Sequence, residues 1–205
     1  IPTESPGESA RPPVSATATN SMVKFSGLLQ GRTTATRVVV NARGGSGGNG
    51  TVTVSSGTLN VGSGGIVNDG SGPAAVNVGG SGGTIRATAP FGSSLPMTLA
   101  GAGVNAATFD TNGNAVTLSG ALTGSGGLNK NGAATLTLSG AGHAYVGATT
   151  VNAGTLRFHN VSNVFASPIA NNSAVETYLD NSGYMRITGA TSGAGTWLID
   201  GSGAG

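Results

Sequence analysis

Short stretches in which apolar and polar residues alternate recur along most of the chain. In Leu136, Thr137 and Leu138 a polar residue separates two apolar ones, and Ser and Gly follow. Alternation with a period of two is typical of a β-strand with one buried face. No stretch has the i, i+3, i+4 spacing of an amphipathic helix, so the pattern predicts an all-β protein. The side chains expected to point inward are Val52 and Val54, Leu59 and Val61, Val76 and Val78, Val116 and Leu118, Leu136 and Leu138, and Leu156 and Phe158.

These strands repeat at a nearly constant spacing. Segments 97–102, 116–121 and 136–141 read Met-Thr-Leu-Ala-Gly-Ala, Val-Thr-Leu-Ser-Gly-Ala and Leu-Thr-Leu-Ser-Gly-Ala, and their starting positions are almost evenly spaced. A unit this short cannot bury its own apolar face, so successive units must stack on one another. The sequence therefore predicts a β-solenoid with about 20 residues per rung and about eight rungs. Its core ladder is expected to be Leu59, Val78, Leu99, Leu118, Leu138 and Leu156.

The glycine content fits the same architecture. The chain has 38 glycines in 205 residues, and every corner of a solenoid needs a tight bend or a positive φ angle, which Gly adopts without steric cost. A β-sandwich or a β-barrel would also combine short strands with Gly turns. Neither of them explains why the spacing between matching strands stays nearly constant, so we favour the solenoid.

The first residues have a different composition. Residues 1–20 contain Pro2, Pro6, Pro12 and Pro13 among Ser, Thr and Ala, which disfavours both a helix and a central strand. We interpret them as an extended Pro-rich arm or linker, and we expect the solenoid to occupy residues 21–205. Within the solenoid, residues 160–186 are the least regular part.

Charge and composition exclude several classes of protein. Only 8% of the residues are charged and the net charge is +2, so no basic stripe for nucleic acid is present. The apolar runs are far shorter than the roughly 18 residues of a membrane-spanning helix. The chain has no Cys, which excludes disulfides and thiolate metal sites. No targeting signal is visible at the N-terminus.

Two segments carry a resemblance to a known family. Residues 124–140, which read GSGGLNKNGAATLTLSG, and residues 144–156, which read AYVGATTVNAGTL, resemble the autotransporter-associated β-strand repeat. The similarity is specific over residues 115–158. It implies a right-handed parallel β-helix, a secreted or cell-surface location in a bacterium, and a stalk role without catalysis. Since the chain has no room for a membrane barrel as well, we expect a fragment, a released product, or a secreted protein that borrowed the repeat.

Few residues could carry chemistry. Glu176 and Asp180, with Arg186 nearby, form the one acidic cluster, which could be a weak surface site for a sugar or a cation. The alternative, a solvated loop with a surface ion pair, is favoured because exposed pairs are common and weak. His143 and His159 have no acid close in sequence, so we expect turn or surface histidines. The sequence predicts no catalytic residue, no metal site and no cofactor.

The expected function is therefore structural. The sequence favours an extracellular β-solenoid that is a stalk or passenger segment, or a filament subunit that stacks head to tail. The alternative is an adhesin or glycan-binding module on a monomeric rod. A glycan-active enzyme that uses Asp180 or Glu176 ranks third. The expected partners are a second copy of the chain or a host or cell-surface glycan, with no nucleic acid and no membrane span.

Overall fold

The computed structural model describes residues 18–19, 24–26, 34–40, 49–161, 163–179 and 184–200, and nearly all of its regular structure is β-strand. The one helical turn in these ranges is a 3-10 turn at Gly103–Asn105. The strands are β1 (Ala18–Thr19), β2 (Lys24–Ser26), β3 (Thr34–Val40), β4 (Asn49–Val54), β5 (Thr58–Asn68), β6 (Ala74–Gly79), β7 (Thr84–Ala87), β8 (Phe91–Ser93), β9 (Met97–Ala100), β10 (Ala107–Asp110), β11 (Val116–Leu118), β12 (Leu122–Thr123), β13 (Leu128–Asn131), β14 (Thr135–Ser139), β15 (Thr149–Val151), β16 (Thr155–His159), β17 (Asn163–Phe165), β18 (Ile169–Asn171), β19 (Ala174–Tyr178), β20 (Met185–Ile187), β21 (Thr191–Ser192) and β22 (Thr196–Asp200).

The strands form parallel sheets that run along a β-solenoid. A nine-stranded sheet has the order β2-β3-β5-β7-β10-β13-β15-β18-β21, and a six-stranded sheet has the order β22-β19-β16-β14-β11-β8. A five-stranded sheet, β1-β4-β6-β9-β12, forms the third side. In the later turns, the paired strands β17 and β20 follow the strands of the six-stranded sheet along the chain, as β9 and β12 do in the earlier turns. From β3 onward, successive strands of the chain therefore lie in different sheets, as expected for the solenoid predicted from the sequence.

The turns are slightly longer than the sequence spacing suggests. The solenoid has about 7 turns of about 22 residues, fewer and longer than the rungs predicted from the repeat. The turn from Leu136 to its partner Leu156 in the C-terminal half is shorter than the turn from Leu59 to its partner Ile85 in the N-terminal half. Extra residues at the corners lengthen the early turns, because β6 and β7 are separated by a Gly-rich connection and the 3-10 turn follows β9.

The N-terminal end differs from the rest of the rod. Here β1 pairs antiparallel with β4, and β2 pairs antiparallel with β3, whereas the other paired strands of the described ranges are parallel. Residues 1–17 and Asn20 of the predicted arm lie outside the described residues, and the arm contributes β1. Two of the sheets thus end on a strand of reversed direction.

The core inside the solenoid is mostly aliphatic, with a few aromatic side chains. All six residues of the expected ladder are at most 1% exposed, yet they do not form one column. Leu118 pairs with Leu138 in the six-stranded sheet, whereas Val78 pairs with Leu99 in the five-stranded sheet. Leu156 pairs with Leu136 instead of Leu138. The three sheets share one apolar-polar-apolar pattern, so sequence spacing alone merged positions from different sides of the solenoid.

Candidate functional site

Four polar and aromatic side chains, named here the outer patch, share the solvent side of the six-stranded sheet. The patch consists of Arg157 and His159 on β16 and Glu176 and Tyr178 on β19. Since β16 turns Leu156 inward and fully buries it, alternation directs its neighbour Arg157 outward. The strand register then places Arg157 beside Glu176 and His159 beside Tyr178.

The outer patch stands out from the earlier turns of the same sheet. The outward positions that precede Arg157 in this column are Gly92, Thr117 and Thr137. These are small or hydroxyl-bearing residues with no charge and no ring. The chemistry of the outer face therefore changes at β16.

An ion pair joins the two charged residues of the outer patch. Arg157 Nε donates to Glu176 Oε2 at 2.8 Å, with the arginine side chain 41% exposed and the glutamate side chain 10% exposed. A pair with one partner this exposed is worth less than about 1 kcal/mol. It fixes the orientation of the guanidinium, which keeps further donors for a ligand.

The two rings of the outer patch lie against each other. The centroids of His159 and Tyr178 are 5.3 Å apart, with a tilt of 54° between the ring planes. Both side chains are half-buried, so each packs on the sheet and still reaches solvent. A ring beside a charged pair offers an apolar surface together with hydrogen-bonding groups.

A fully buried lysine lies inside the solenoid, on a strand of the nine-stranded sheet. Lys130 on β13 points inward, and its Nζ donates to Asn131 O at 2.9 Å, Gly132 O at 2.7 Å, Ala153 O at 2.9 Å and Thr111 Oγ1 at 3.2 Å. Burial lowers the pKa of Lys130 to about 8, and the nearby Asp110 carboxylate opposes this shift. The lysine occupies a cage of oxygen atoms that closes the corner after β13.

Lys130 is not among the inward-pointing residues predicted from the sequence, although a signal for it exists. Leu128 begins β13 and is buried, and strict alternation puts Lys130 on the same side of the strand. A polar residue of a strand with one buried face ordinarily points outward, and Lys130 is an exception. A lysine at an inward position of a solenoid strand is a buried cation that needs acceptors, and the adjacent corner carbonyls supply them.

One known family model matches the part of the rod that contains Lys130. Residues 128–158 match the family model of the passenger-associated-transport-repeat. The match falls within residues 115–158, where the sequence resemblance is specific, and the fold is the parallel solenoid expected for such a repeat. The repeat match and the solenoid fold fit an autotransporter passenger-type repeat protein. No curated protein and no solved structure matches the chain.

The matched passenger repeat runs from β13 to β16 and contains a buried histidine. His143, expected at a turn or on the surface, lies in the connection between β14 and β15 but is buried. Its Nδ1 accepts from the Leu122 backbone N–H at 3.3 Å, and its Nε2 contacts Ser139 O at 3.3 Å. Burial lowers the pKa of His143. The expectation of a turn or surface position followed from the lack of an acid close in sequence. The partners of the His143 ring are instead backbone groups, which sequence spacing does not reveal.

A buried hydroxyl network crosses from the passenger repeat into the next turn. Tyr145 Oη lies 2.7 Å from Thr149 Oγ1, which lies 3.3 Å from Ser167 Oγ, and Ser167 Oγ donates to Gly147 O. The Tyr145 ring packs edge-on against Phe165 at 5.3 Å. Burial raises the pKa of Tyr145 well above its ordinary value. The three hydroxyl-bearing side chains of the network are buried, so it satisfies polar atoms inside the solenoid.

Two residues of the predicted weak site, Glu176 and Arg186, lie on strands of different sheets. Glu176 is paired with Arg157 of the neighbouring turn, and Arg186 lies on β20, in a different sheet from β19. Asp180 lies outside the described residues. The glutamate therefore belongs to the outer patch, where its partner comes from the preceding turn of the solenoid.

In the described part of the chain, no group of three His, Asp or Glu side chains is placed to hold a metal ion. The helical structure of the same part includes no segment long and apolar enough to cross a membrane.

Proposed function

We propose that this passenger-type solenoid is a structural segment of an extracellular bacterial surface protein, in which it acts as a stalk. The observation that carries the proposal is the continuous stack of parallel turns on both sides of the matched passenger repeat. Each turn contacts only its neighbours, so the turns build an extended rod and not a compact domain. Such a rod can hold apart whatever is attached at its two ends. About 7 turns at roughly 4.8 Å per turn give a rod about 34 Å long.

Surface display tests the stalk role. The chain would be placed between a secretion signal and an outer-membrane barrel, with an epitope at its N-terminal end. We expect the epitope to be accessible on intact cells and the rod to resist protease. The core variant Leu118→Asp should lose the resistant rod, whereas Thr117→Asp, one residue away on the exposed face, should keep it. An epitope that never reaches the surface, or equal loss in both variants, would refute the proposal.

In its finer form, the structural proposal includes assembly into filaments. The sequence predicts that copies stack head to tail, which would turn the stalk into a polymer subunit. Electron microscopy of the purified chain at several concentrations tests this form. Long fibres support it, whereas separate short rods limit the chain to the stalk role.

A binding module is the second candidate, and the outer patch favours it. Arg157 and Glu176 provide donors and acceptors beside the ring of Tyr178, a combination that suits the hydroxyl groups and the C–H face of a sugar. A glycan array probed with the purified chain would test this function. Binding should be lost in Tyr178→Ala and retained in Thr117→Ala, which changes the same outer face in an earlier turn. No saturable glycan binding would exclude the second candidate.

A further inference from the structure

The corner between β10 and β11 contains an exposed Asn-Gly pair in a tight turn. Asn112 and Gly113 have positive φ angles of 46° and 79°, and the Asn114 backbone N–H donates to Thr111 O at 2.7 Å. Two central residues with positive φ and this closing bond define a type I′ turn. Both central residues are exposed. Among the described residues, a Cβ on Gly113 would meet no atom beyond its chain neighbours within 4 Å, so this part of the turn is free to rotate.

The carboxamide of Asn112 faces a guanidinium of the preceding turn of the solenoid. Arg86 Nη2 donates to Asn112 Oδ1 at 2.8 Å, and Asn112 Nδ2 donates to Ala87 O at 3.1 Å. The guanidinium is oriented by Asp110, whose Oδ2 lies 3.3 Å from Arg86 Nε. A cationic donor on a carbonyl oxygen stabilises the negative charge that develops there when a nucleophile attacks the carbon. Arg86 therefore activates Cγ of Asn112 towards attack.

We propose that Asn112 is a self-modifying residue, at which the backbone nitrogen of Gly113 attacks Cγ and Arg86 stabilises the oxyanion. The bond from Gly113 N to Cγ forms, the Cγ–Nδ2 bond breaks, and the amide proton of Gly113 leaves with Nδ2 as ammonia. One water molecule then opens the cyclic imide and leaves a carboxylate at position 112, as aspartate or as isoaspartate. The reaction needs no oxidant, reductant or cofactor. Glycine favours it because no side chain hinders the attacking nitrogen.

The structure restrains the other Asn-Gly pairs. The chain contains two of them, at 49–50 and 131–132. Gly50 is buried and its N–H donates to Pro73 O at 2.9 Å. Gly132 O accepts from Lys130 Nζ at 2.7 Å, and a Cβ on Gly132 would overlap the backbone of the neighbouring turn. Ring closure needs rotation of the backbone, so a restrained pair must open locally before it reacts. Gly113 has no such restraint.

The conversion changes both the charge and the backbone of this corner. Aspartate at position 112 keeps an acceptor for Arg86 but loses the donor to Ala87 O, and it puts a second carboxylate beside Asp110. Isoaspartate adds one atom to the main chain of the turn, which disturbs the closing bond between Asn114 and Thr111. The modification goes beyond the stalk role and does not depend on it. It gives the rod a chemical change that accumulates with time.

Peptide mapping by mass spectrometry after incubation at mildly alkaline pH tests the proposal. Trypsin cleaves after Arg43, Arg86 and Lys130, which places the three Asn-Gly pairs on three different peptides. In the folded chain we expect conversion at Asn112 to be at least about tenfold faster than at either other pair. In concentrated urea the three pairs should convert at similar rates, because each then has the same reacting groups. Equal rates at the three pairs of the folded chain, or no conversion at Asn112, would overturn the proposal.

Two variants test the reacting groups separately. Asn112→Gln should abolish conversion at this position, because its longer side chain must close a larger ring. Arg86→Met should slow conversion at Asn112 in the folded chain by at least about threefold and leave the rate in urea unchanged. Arg157→Met removes an arginine from a different sheet and is the matched control, which should convert like the wild type. Fragmentation of the peptides identifies the converted residue, and melting curves establish that each variant is folded. Conversion in Asn112→Gln at the wild-type rate, or an unchanged rate in Arg86→Met, would overturn the assignment.

Discussion

Replacing the buried Lys130 by Met tests whether the lysine holds the corner after β13 together. Methionine has a similar length and fills the same space, but it cannot donate a hydrogen bond. The substitution removes the donor for Asn131 O, Gly132 O and Ala153 O. Lys130 belongs to the matched passenger repeat, so its contribution bears on the stability of the whole rod.

The expected loss follows from the carbonyl groups that remain. Asn131 O also accepts from the Thr111 backbone N–H at 3.0 Å, so it stays bonded. Gly132 O and Ala153 O lose the donor that Lys130 provides. A buried acceptor left without a donor costs about 1 to 3 kcal/mol, and Met restores part of the packing. We therefore expect Lys130→Met to lower the free energy of unfolding by about 3 kcal/mol.

Urea denaturation and thermal melting measure this loss. For a chain of this size, about 3 kcal/mol corresponds to a fall in Tm of about 6 to 12 °C. Asn129→Met is the matched control, because it introduces the same residue on the same strand but on the outer side. Asn129 makes one exposed hydrogen bond, to Gly103 O, so its loss should stay below about 1 kcal/mol. A Lys130→Met variant as stable as the wild type would show that desolvation of the ammonium cancels its hydrogen bonds.

The pH dependence of the same pair of proteins gives an independent test. Burial lowers the pKa of Lys130 from 10.5 to about 8. Between these values the unfolded chain holds a proton that the folded chain has released, so the stability of the wild type rises with pH. The gain is at most about 3 kcal/mol, and Lys130→Met lacks it. A difference between the two proteins that stays constant above pH 8 would contradict the lowered pKa of Lys130.

Further predictions concern a corner, the outer patch and the buried histidine. Gly132 and Gly113 have φ angles of 80° and 79°, but a Cβ on Gly132 would overlap the backbone of the neighbouring turn. Urea melts should therefore show a clearly larger loss for Gly132→Ala than for Gly113→Ala, whose loss should be about 1 kcal/mol; equal losses would contradict this. A double-mutant cycle of Arg157→Ala and Glu176→Ala should give a coupling of about 0.2 to 1 kcal/mol, and a coupling several times larger would be inconsistent with the exposed pair. Because burial lowers the pKa of His143, thermal melts should show stability falling as pH drops below about 6.5, and His143→Gln should remove that part of the fall.

The repeat pattern predicted the architecture but not the assignment of strands to sheets. Leu118 and Leu138 sit in matching segments, and they are direct partners in the six-stranded sheet. Leu59 and Val78 follow the same spacing, yet they lie in the nine-stranded and five-stranded sheets. Every strand of a solenoid needs the same apolar-polar-apolar pattern, whichever side it forms. The pattern therefore identifies strands without saying which side of the coil each one occupies.

The candidate site could also be predicted only in part from the spacing of residues in the sequence. Glu176 was linked to Asp180 and Arg186 because they are close in sequence. In a solenoid the nearest neighbour of an outward residue is one turn away, and Arg157 lies one turn before Glu176. Applying the repeat length to polar positions as well as apolar ones would have paired these two residues. The closeness of Lys130 to the corner carbonyls needed coordinates, because it depends on how the backbone bends at Gly132.

The buried polar side chains of the passenger repeat have a common role. Strand pairing satisfies backbone groups within the sheets, but at the corners the chain turns away from its neighbours and leaves carbonyl and amide groups inside a narrow core. Lys130 donates to Gly132 O and Ala153 O, and His143 accepts from the Leu122 amide. Each of these contacts holds a corner and faces away from solvent. Polar residues inside the repeat therefore serve the fold, and recognition on this rod should be sought on the outer patch.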